Sequence, residues 1–423
     1  MFLSTIILAA GKGTRMRSPI PKVLHRVAGK KLIQFSLDLS VKLNSNETIV
    51  VLGDDSDPIK KSLDKNNAYI TFAIQKEQKG TGHAVKTAWQ KISKDSEATL
   101  VLYGDTPFVS NGTIKKMTRK LDKGYDFVFL GFESQAKNTY GKLKTDSKEL
   151  LLEIIESTEN DYNPDLKLSN SGVLLGKTNS MSQLLPKLNN KNNKKEFFLT
   201  DLVTLALKNN MRSTYVECSE NECQGVNSQV ELSIAEKLFQ EKFRQKLMEA
   251  GVTLIAPETC FFSYDTKIAS GSVIEPNVVF GTGVIIKNNT TIKSFSHIEG
   301  AKIGKECQIG PFARIRPETK FENNVKVGNF VEVKNSNFSS NVKANHLSYI
   351  GDATVGKQTN VGAGTVFCNF DGLNKNKTVI GDKVFVGSNS SLIAPIEIGS
   401  EAVIAAGSVI NCDVPAKSLA ISR

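Results

Sequence analysis

Two rhythms of apolar residues divide the chain. In the first half, short apolar runs alternate with amphipathic stretches. The runs Thr5–Ala9, Thr48–Leu52, Ala68–Ile74, Thr99–Tyr103 and Asp126–Phe132 read as strands, with helices at Lys31–Leu43 and Gly82–Ile92. Alternation of strand and helix predicts an α/β unit, a mainly parallel sheet with helices on both faces. Such sheets place ligands at the carboxyl ends of their strands.

The second half keeps time at every sixth residue. Ile268, Ile274, Phe280, Ile286, Ile292 and Ile298 form one series. After a one-residue slip it resumes as Ile303, Ile309, Ile315, Phe321, Val327 and Val333. Two further slips give Phe338, Ala344, Ile350 and then Val355, Val361, Phe367. Following a loop, Ile380, Val386, Leu392, Ile398, Ile404 and Ile410 complete it. A period of six belongs to hexapeptide-repeat β-helices, in which each hexapeptide supplies one short strand and one corner. Three strands close a triangular turn, and the period-six residue stacks inward on its counterpart in the next turn. Corners favour residues that tolerate left-handed backbone angles, and Gly271, Asn277, Gly283, Asn289 and Gly310 are of that kind. The series predicts roughly eight turns, enough to bury a core that one repeat could not.

Between the halves, Ser228–Gly251 has a helical pattern, with Ala235, Leu238, Phe239, Phe243 and Leu247 as its apolar stripe. Ser228 and Glu231 make a candidate capping box, and Gly251 a stop. The expected organisation is therefore residues 1–226 as one domain, 227–250 as a linker helix and 251–423 as the β-helix.

Composition adds constraints. The opening apolar stretch Thr5–Ala10 has no basic lead-in and is too short for a membrane helix or a secretory leader. No later run is long enough to span a bilayer, so a soluble chain without membrane insertion is expected. The six cysteines lack zinc-knuckle or redox spacing and read as free thiols of a reducing cytosol. A net charge of +11 admits nucleic acid, an acidic surface or polyanionic small substrates as partners. The basic residues are dispersed and not interleaved with aromatics, which argues against nucleic acid.

The strongest local motif is Leu8-Ala9-Ala10-Gly11-Lys12-Gly13-Thr14-Arg15-Met16, followed by Pro21-Lys22, where a strand ends. Glycines there let backbone N–H groups approach phosphate oxygens. Arg15 and Lys22 add positive charge for a departing pyrophosphate. The spacing is not that of a Walker A loop.

This motif resembles the signature of sugar-nucleotide pyrophosphorylases. The chain as a whole resembles the family of bifunctional N-acetylglucosamine-1-phosphate uridyltransferase/glucosamine-1-phosphate acetyltransferases, nearly from end to end. The resemblance implies a Rossmann-like nucleotidyltransferase domain followed by a left-handed parallel β-helix, working in the cytoplasm on small molecules as a homotrimer. It further implies that Leu8, Ala9, Ala10, Gly11 and Gln75 hold uridine, with Gly80 and Thr81 continuing the base pocket. Lys22 and Arg15 are then the catalytic cations on the triphosphate. Tyr103-Gly104-Asp105 closes a strand, and Asp105 with Asn227 is implied to ligate Mg²⁺. Gly141, Glu156 and Asn170 are implied to hold the sugar. One carboxylate and one amide suit a hard cation that keeps phosphate and water ligands. The attacking phosphate is already an anion, so this chemistry requires positioning and charge neutralisation and no general base.

In the β-helix a polar cluster interrupts the apolar column. Arg316, Lys334, His346 and Asn360 are spaced to recur on successive turns near one another. Arginine and lysine suit a sugar phosphate, and histidine suits a general base near neutral pH. The resemblance implies that Arg316, Lys334, Tyr349 and Asn360 bind glucosamine 1-phosphate and that His346 takes the proton of the attacking amine. Ala363, Asn369, Phe370, Ser388, Ala406 and Arg423 are implied to line the acetyl-CoA site. The family usually has tyrosine where this chain has Phe370, which keeps the ring and drops the hydroxyl. The β-helix is also expected to be about one turn shorter than the family's, before Gly310, and to lack its basic tail.

Three alternatives stay open at this point. One is a single-activity uridyltransferase with a purely structural β-helix. Another is a non-catalytic regulatory subunit of the same architecture, which would have no need of Arg15, Lys22, Asp105 and Asn227. The third is a pyrophosphorylase for another nucleotide or hexose, which the acetyl-site cluster argues against.

Overall fold

The structure is a computed structural model that describes residues 2–54, 56–63, 69–134, 140–156 and 166–422. Contacts divide it into two units, Met1–Glu236 and Lys237–Arg423. The division falls inside the helix Gln229–Glu249, which is the expected interdomain helix trimmed at both ends.

The first unit is built on one sheet. Its main path runs Ser213–Cys218, Phe127–Glu133, Leu168–Lys177, Ala98–Tyr103, Leu3–Ala9, Glu47–Gly53 and Ile70–Gln75. All neighbours are parallel except Leu168–Lys177, which is antiparallel to both strands beside it. The expected strand beginning at Ala68 starts at Ile70, and Ala68 lies outside the described residues. Every residue of Leu3–Ala9 is buried because both faces of the sheet are covered. Ile7 packs with Ile33 and Leu37 of one helix and Met117 of another. Ile6 and Leu8, pointing the other way, pack with Val85, Leu184 and Val203.

At the start of Gln229–Glu249 the capping differs from the expected box. The Ser228 hydroxyl accepts the Glu231 N–H at 3.2 Å, as foreseen. The Glu231 carboxylate, however, takes the backbone N–H of Asn227 at 2.5 Å, one residue earlier than the box requires. That bond anchors the residue expected to bind metal.

The second unit is a three-faced prism, a left-handed parallel β-helix. Two of its sheets have eight strands and the third has ten, which matches the expected number of turns. Every period-six residue from Ile268 to Ile410 is buried in one continuous core. The five anticipated corner residues all have positive φ: Gly271 75°, Asn277 61°, Gly283 77°, Asn289 59° and Gly310 96°.

Every slip in the period, and the loop after Phe367, occurs at the same corner. Strands containing Ile298, Val333, Ile350 and Phe367 lie on one eight-stranded sheet. Their successors at Ile303, Phe338, Val355 and Ile380 lie on the other. The other two corners keep perfect time. Shortening or lengthening a turn there leaves the inward column intact, so chain-length variation is confined to one edge. The basic cluster lies on that edge.

Among the described residues no helix is long and apolar enough to cross a membrane.

Candidate active sites

In the first unit the carboxyl end of Leu3–Ala9 opens into the glycine loop. Gly13 has φ 63°, and a Cβ on it would stand 2.7 Å from Lys22 Cβ, so only glycine lets the loop and Lys22 pack together. The Gly104 N–H donates to Leu8 O at 2.9 Å, and Gln78 Nε2 donates to Ala10 O at 2.5 Å. These bonds hold the loop against neighbouring strand ends.

A cavity of about 560 Å³ opens there. It is lined by Leu8, Ala9, Ala10, Gly11, Lys22, Gln75, Gly80 and Thr81 from the nucleotide motifs. Tyr103, Asp105, Gly141, Glu156, Asn170 and Asn227 complete it from five further segments. Gly104 is not among the residues that line it. Arg15 is exposed and lines neither this cavity nor the adjoining one of about 860 Å³ that Lys12, Lys22 and Lys76 border.

Three groups meet at one point. The Lys22 ammonium forms an ion pair with Asp105 Oδ2 and donates to Asn227 Oδ1 at 3.1 Å. The Asp105 carbonyl accepts the Val226 N–H at 2.9 Å, which pins the Asn227 segment beside the carboxylate. One carboxylate and one amide oxygen thus converge on a cation, here the ammonium, and this hard-oxygen donor set fits a divalent metal.

The sugar side carries a contact that sequence reasoning missed. Thr200 Oγ1 donates to Glu156 Oε1 at 2.7 Å, aiming that carboxylate into the cavity. The two residues are 44 positions apart, and no motif links them. Burial, followed by the charge of Glu156, raises the Asp201 pKa next door. The Tyr103 phenol is pushed up by burial and then by Asp105 and Glu156, so it stays protonated as a donor. Its ring packs under Gly172, where a Cβ would approach within 2.7 Å.

The second unit arranges its expected residues in two rows along one sheet face. Arg316 and Lys334 occupy equivalent places on successive turns, at the corner where the period slips. With Asp352, Lys375 and Lys377 they line a cavity of about 500 Å³. Arg316 pairs with Glu332 at 2.8 Å and Lys334 with Asp352 at 3.7 Å. Burial works against the Asp352 carboxylate. Hydrogen bonds from Asn335 and Asn369, with Lys334 beside it, outweigh that and hold its pKa down. Lys334 lowers the pKa of the adjoining Lys375. An anion bound in this cavity would relieve that crowding of positive charge. Asn369 Nδ2 bridges Tyr349 Oη at 3.4 Å and Asp352 Oδ2 at 2.5 Å and is buried, while Phe370 is exposed.

His346 belongs to the other edge of that face. The residues Asn329, His346, Ala363 and Ser388 each offer their carbonyl to the residue after the matching position one turn on. The bonds run to Leu347 N at 3.1 Å, Gly364 N at 3.3 Å, Asn389 N at 2.7 Å and Gly407 N at 2.8 Å. Ala406, which precedes Gly407, continues the row. Three expected acetyl-CoA residues therefore stack beyond the expected base as a strip of small side chains. The sequence reading put His346 beside Arg316 and Lys334, whereas the structure separates the rows by the width of the face. Asn360 sits on the sheet of His346, in register with Lys343. Arg423 lies outside the described residues.

His346 Nδ1 lies 2.8 Å from Asn329 Oδ1. With Nδ1–H donated to that amide oxygen, the Nε2 lone pair is free to take a proton. Asn329, absent from the expected set, is thus the side chain that holds the His346 ring. The preceding Gly328 permits the close approach of turns, since a Cβ there would fall 1.9 Å from Asn345 O.

Comparison with known proteins joins these halves. Residues 5–175 match the MobA-like NTP transferase domain family, and residues 377–412 match the bacterial transferase hexapeptide family. A curated bifunctional protein GlmU of Zymomonas mobilis is 43% identical over 424 residues, covering 99% of this chain and 94% of its own length. That of Wolbachia pipientis is 44% identical over 420 residues, covering 99% and 96%. That of Bartonella quintana is 41% identical over 419 residues, covering 99% and 94%. With both units and almost the full length matched, the chain belongs to the family of bifunctional GlmU proteins, enzymes that couple a nucleotidyltransferase to a hexapeptide-repeat acetyltransferase.

Proposed function

We propose that this enzyme acetylates glucosamine 1-phosphate from acetyl-CoA in its β-helical unit. It then transfers uridylyl from UTP to N-acetylglucosamine 1-phosphate in its α/β unit, releasing pyrophosphate, and does both in the cytosol. The observation that carries the reading is the presence of two chemically distinct groupings, an oxygen-donor centre beside a glycine loop and a histidine row on the same sheet face as a cavity lined by Arg316 and Lys334.

In the uridylyl reaction the glycine loop and Gln75 hold the nucleotide, and Glu156 and Asn170 orient the sugar. The sugar phosphate then faces the α-phosphorus in line with the leaving pyrophosphate. Enzymes of this type use a divalent metal, and Asp105 and Asn227 are the residues that would hold Mg²⁺. When bound, it supplies neutralisation of the phosphates. The Lys22 ammonium, beside Asp105 and Asn227, is the cation placed to face the triphosphate. Arg15 stands on the exposed side of the loop, from which it reaches phosphate only when substrate arrives. The test is pyrophosphate release from UTP with N-acetylglucosamine 1-phosphate, with dTTP and with glucose 1-phosphate as comparators. The first pair is expected to exceed either substitution by about a hundredfold, and equal rates would reject the substrate assignment.

In the acetyl reaction Arg316 and Lys334 take the sugar phosphate, with Tyr349 and Asn360 on the sugar. His346 Nε2 removes the amine proton as the nitrogen attacks the thioester carbonyl. Ala363, Ser388 and Ala406, small and stacked, leave room for the acetyl-CoA chain, and Asn369 with Phe370 borders it from the opposite edge.

Two rows on opposite edges of one face support a homotrimer in which neighbouring copies complete each site. A second feature favours it. Phe295, Phe312, Phe330 and Leu347 form an exposed ladder, 54%, 44%, 57% and 61% accessible, along the His346 edge. The three rings stack at 5.0 and 5.2 Å, all four residues holding positive φ. Apolar surface of this extent is costly in water and unusual unless covered. Phe312→Asp with Phe330→Asp is expected to sediment as monomer and lose acetyl transfer while keeping uridylyl transfer. An intact trimer would refute the ladder's role.

A further inference from the structure

We propose that Cys218 and Cys223 form a reversible disulfide that turns down the nucleotidyltransferase site. The two sulfurs already lie 3.1 Å apart. Cys218 ends the strand Ser213–Cys218, and Cys223 closes the single helical turn Glu220–Cys223. Both thiols therefore face each other across one short, locally ordered excursion of the chain. The remaining four cysteines, Cys260, Cys307, Cys368 and Cys412, all lie in the second unit.

The pair is placed where bonding has a consequence. Cys223 is 2% accessible and lines the nucleotide cavity together with Gly225 and Asn227. Its chain continues directly through Val226, whose N–H holds the Asp105 carbonyl, to Asn227, whose side chain meets Lys22. A disulfide requires sulfurs about 2 Å apart. Closing that gap draws the 223–227 segment toward the strand and away from the position that now presents Asn227 beside Asp105.

The chemistry is thiol-disulfide exchange with a low-molecular-weight disulfide such as oxidised glutathione. Contact with Cys218 and burial raise the Cys223 pKa, and Cys218 is the more accessible of the two. Cys218 therefore reacts first: its thiolate attacks the oxidant, forming a mixed disulfide and releasing one glutathione thiolate. The Cys223 sulfur then attacks Cys218 Sγ, and its proton leaves with the second glutathione. Two electrons pass from the protein, and one small disulfide becomes two thiols. The same exchange run backwards by a dithiol restores the site.

The activity readout rests on the uridylyl assignment above, whereas the covalent readout is independent of it. Intact protein is treated with oxidised glutathione, mapped by peptide mass, and assayed before and after dithiothreitol. The expected result is a peptide linked between Cys218 and Cys223 and a uridylyl transfer about tenfold lower, since small misplacements of a reacting centre cost at least that. Acetyl transfer is unchanged, dithiothreitol reverses the loss, and Cys218→Ser protein keeps its rate under oxidant. The proposal is overturned if only Cys368 or Cys412 is modified, or if the 218–223 link forms and transfer is unaltered. If reduced protein releases no pyrophosphate at all, it is the substrate reading that fails, and the mass map still decides the link.

Discussion

His346→Ala lowers acetyl transfer to glucosamine 1-phosphate by about a thousandfold, the scale of a lost general base, and leaves uridylyl transfer to pre-acetylated sugar phosphate at its original rate. The amine of glucosamine 1-phosphate must shed a proton as it attacks, and His346 Nε2 is the basic atom left free once Asn329 engages Nδ1. His346 is exposed, and its row is formed by backbone bonds that alanine preserves, so the fold should survive the change. Thiol release from acetyl-CoA measures the loss, and an unchanged melting temperature separates it from unfolding. Retention of more than a tenth of the rate would remove His346 from the role of base.

Asp105→Ala has the reciprocal effect. Pyrophosphate release falls by about a thousandfold, because the carboxylate that meets Lys22 beside Asn227 is lost and one amide oxygen cannot hold a hard divalent cation. Lys22 also loses its ion-pair partner. Acetyl transfer, run by residues of the second unit, is expected to continue at its full rate. Mg²⁺ titration makes the assignment specific: the residual activity of the variant should require far higher metal than the wild type. Identical metal dependence would show that Asp105 neutralises Lys22 and does not bind the cation.

Much of this architecture could be read from residue spacing, and the physical reason differs between the halves. In the β-helix each inward residue stacks on one a turn away, so the core itself imposes a period that survives in the sequence. The slips were visible as interruptions at Ile303, Phe338 and Val355. That they share one corner with Arg316, Lys334 and the loop after Phe367 emerges only when the turns are wound. The stacked Phe295, Phe312 and Phe330 were not anticipated, because a left-handed corner normally selects glycine or asparagine. In the α/β unit the glycine loop was legible because a strand end, small residues and cations coincide within one short segment. The convergence of Lys22, Asp105 and Asn227, and the support of Glu156 by Thr200, join segments that only the folded sheet brings together. Arg15 shows the limit in the other direction: its motif marked it as catalytic, yet it is exposed and outside the cavity lining. His346, chosen as a base candidate by type and neighbours, is displaced from the row where spacing had put it.

The account stands on one chain carrying the residues of two separate chemistries, one in each unit. The most direct measurement follows free thiol and pyrophosphate together in a single tube of wild-type enzyme given glucosamine 1-phosphate, acetyl-CoA, UTP and Mg²⁺. Thiol should appear first, with pyrophosphate following after a lag as acetylated sugar phosphate accumulates. Pyrophosphate released without any thiol would contradict the account and leave the β-helix as a scaffold.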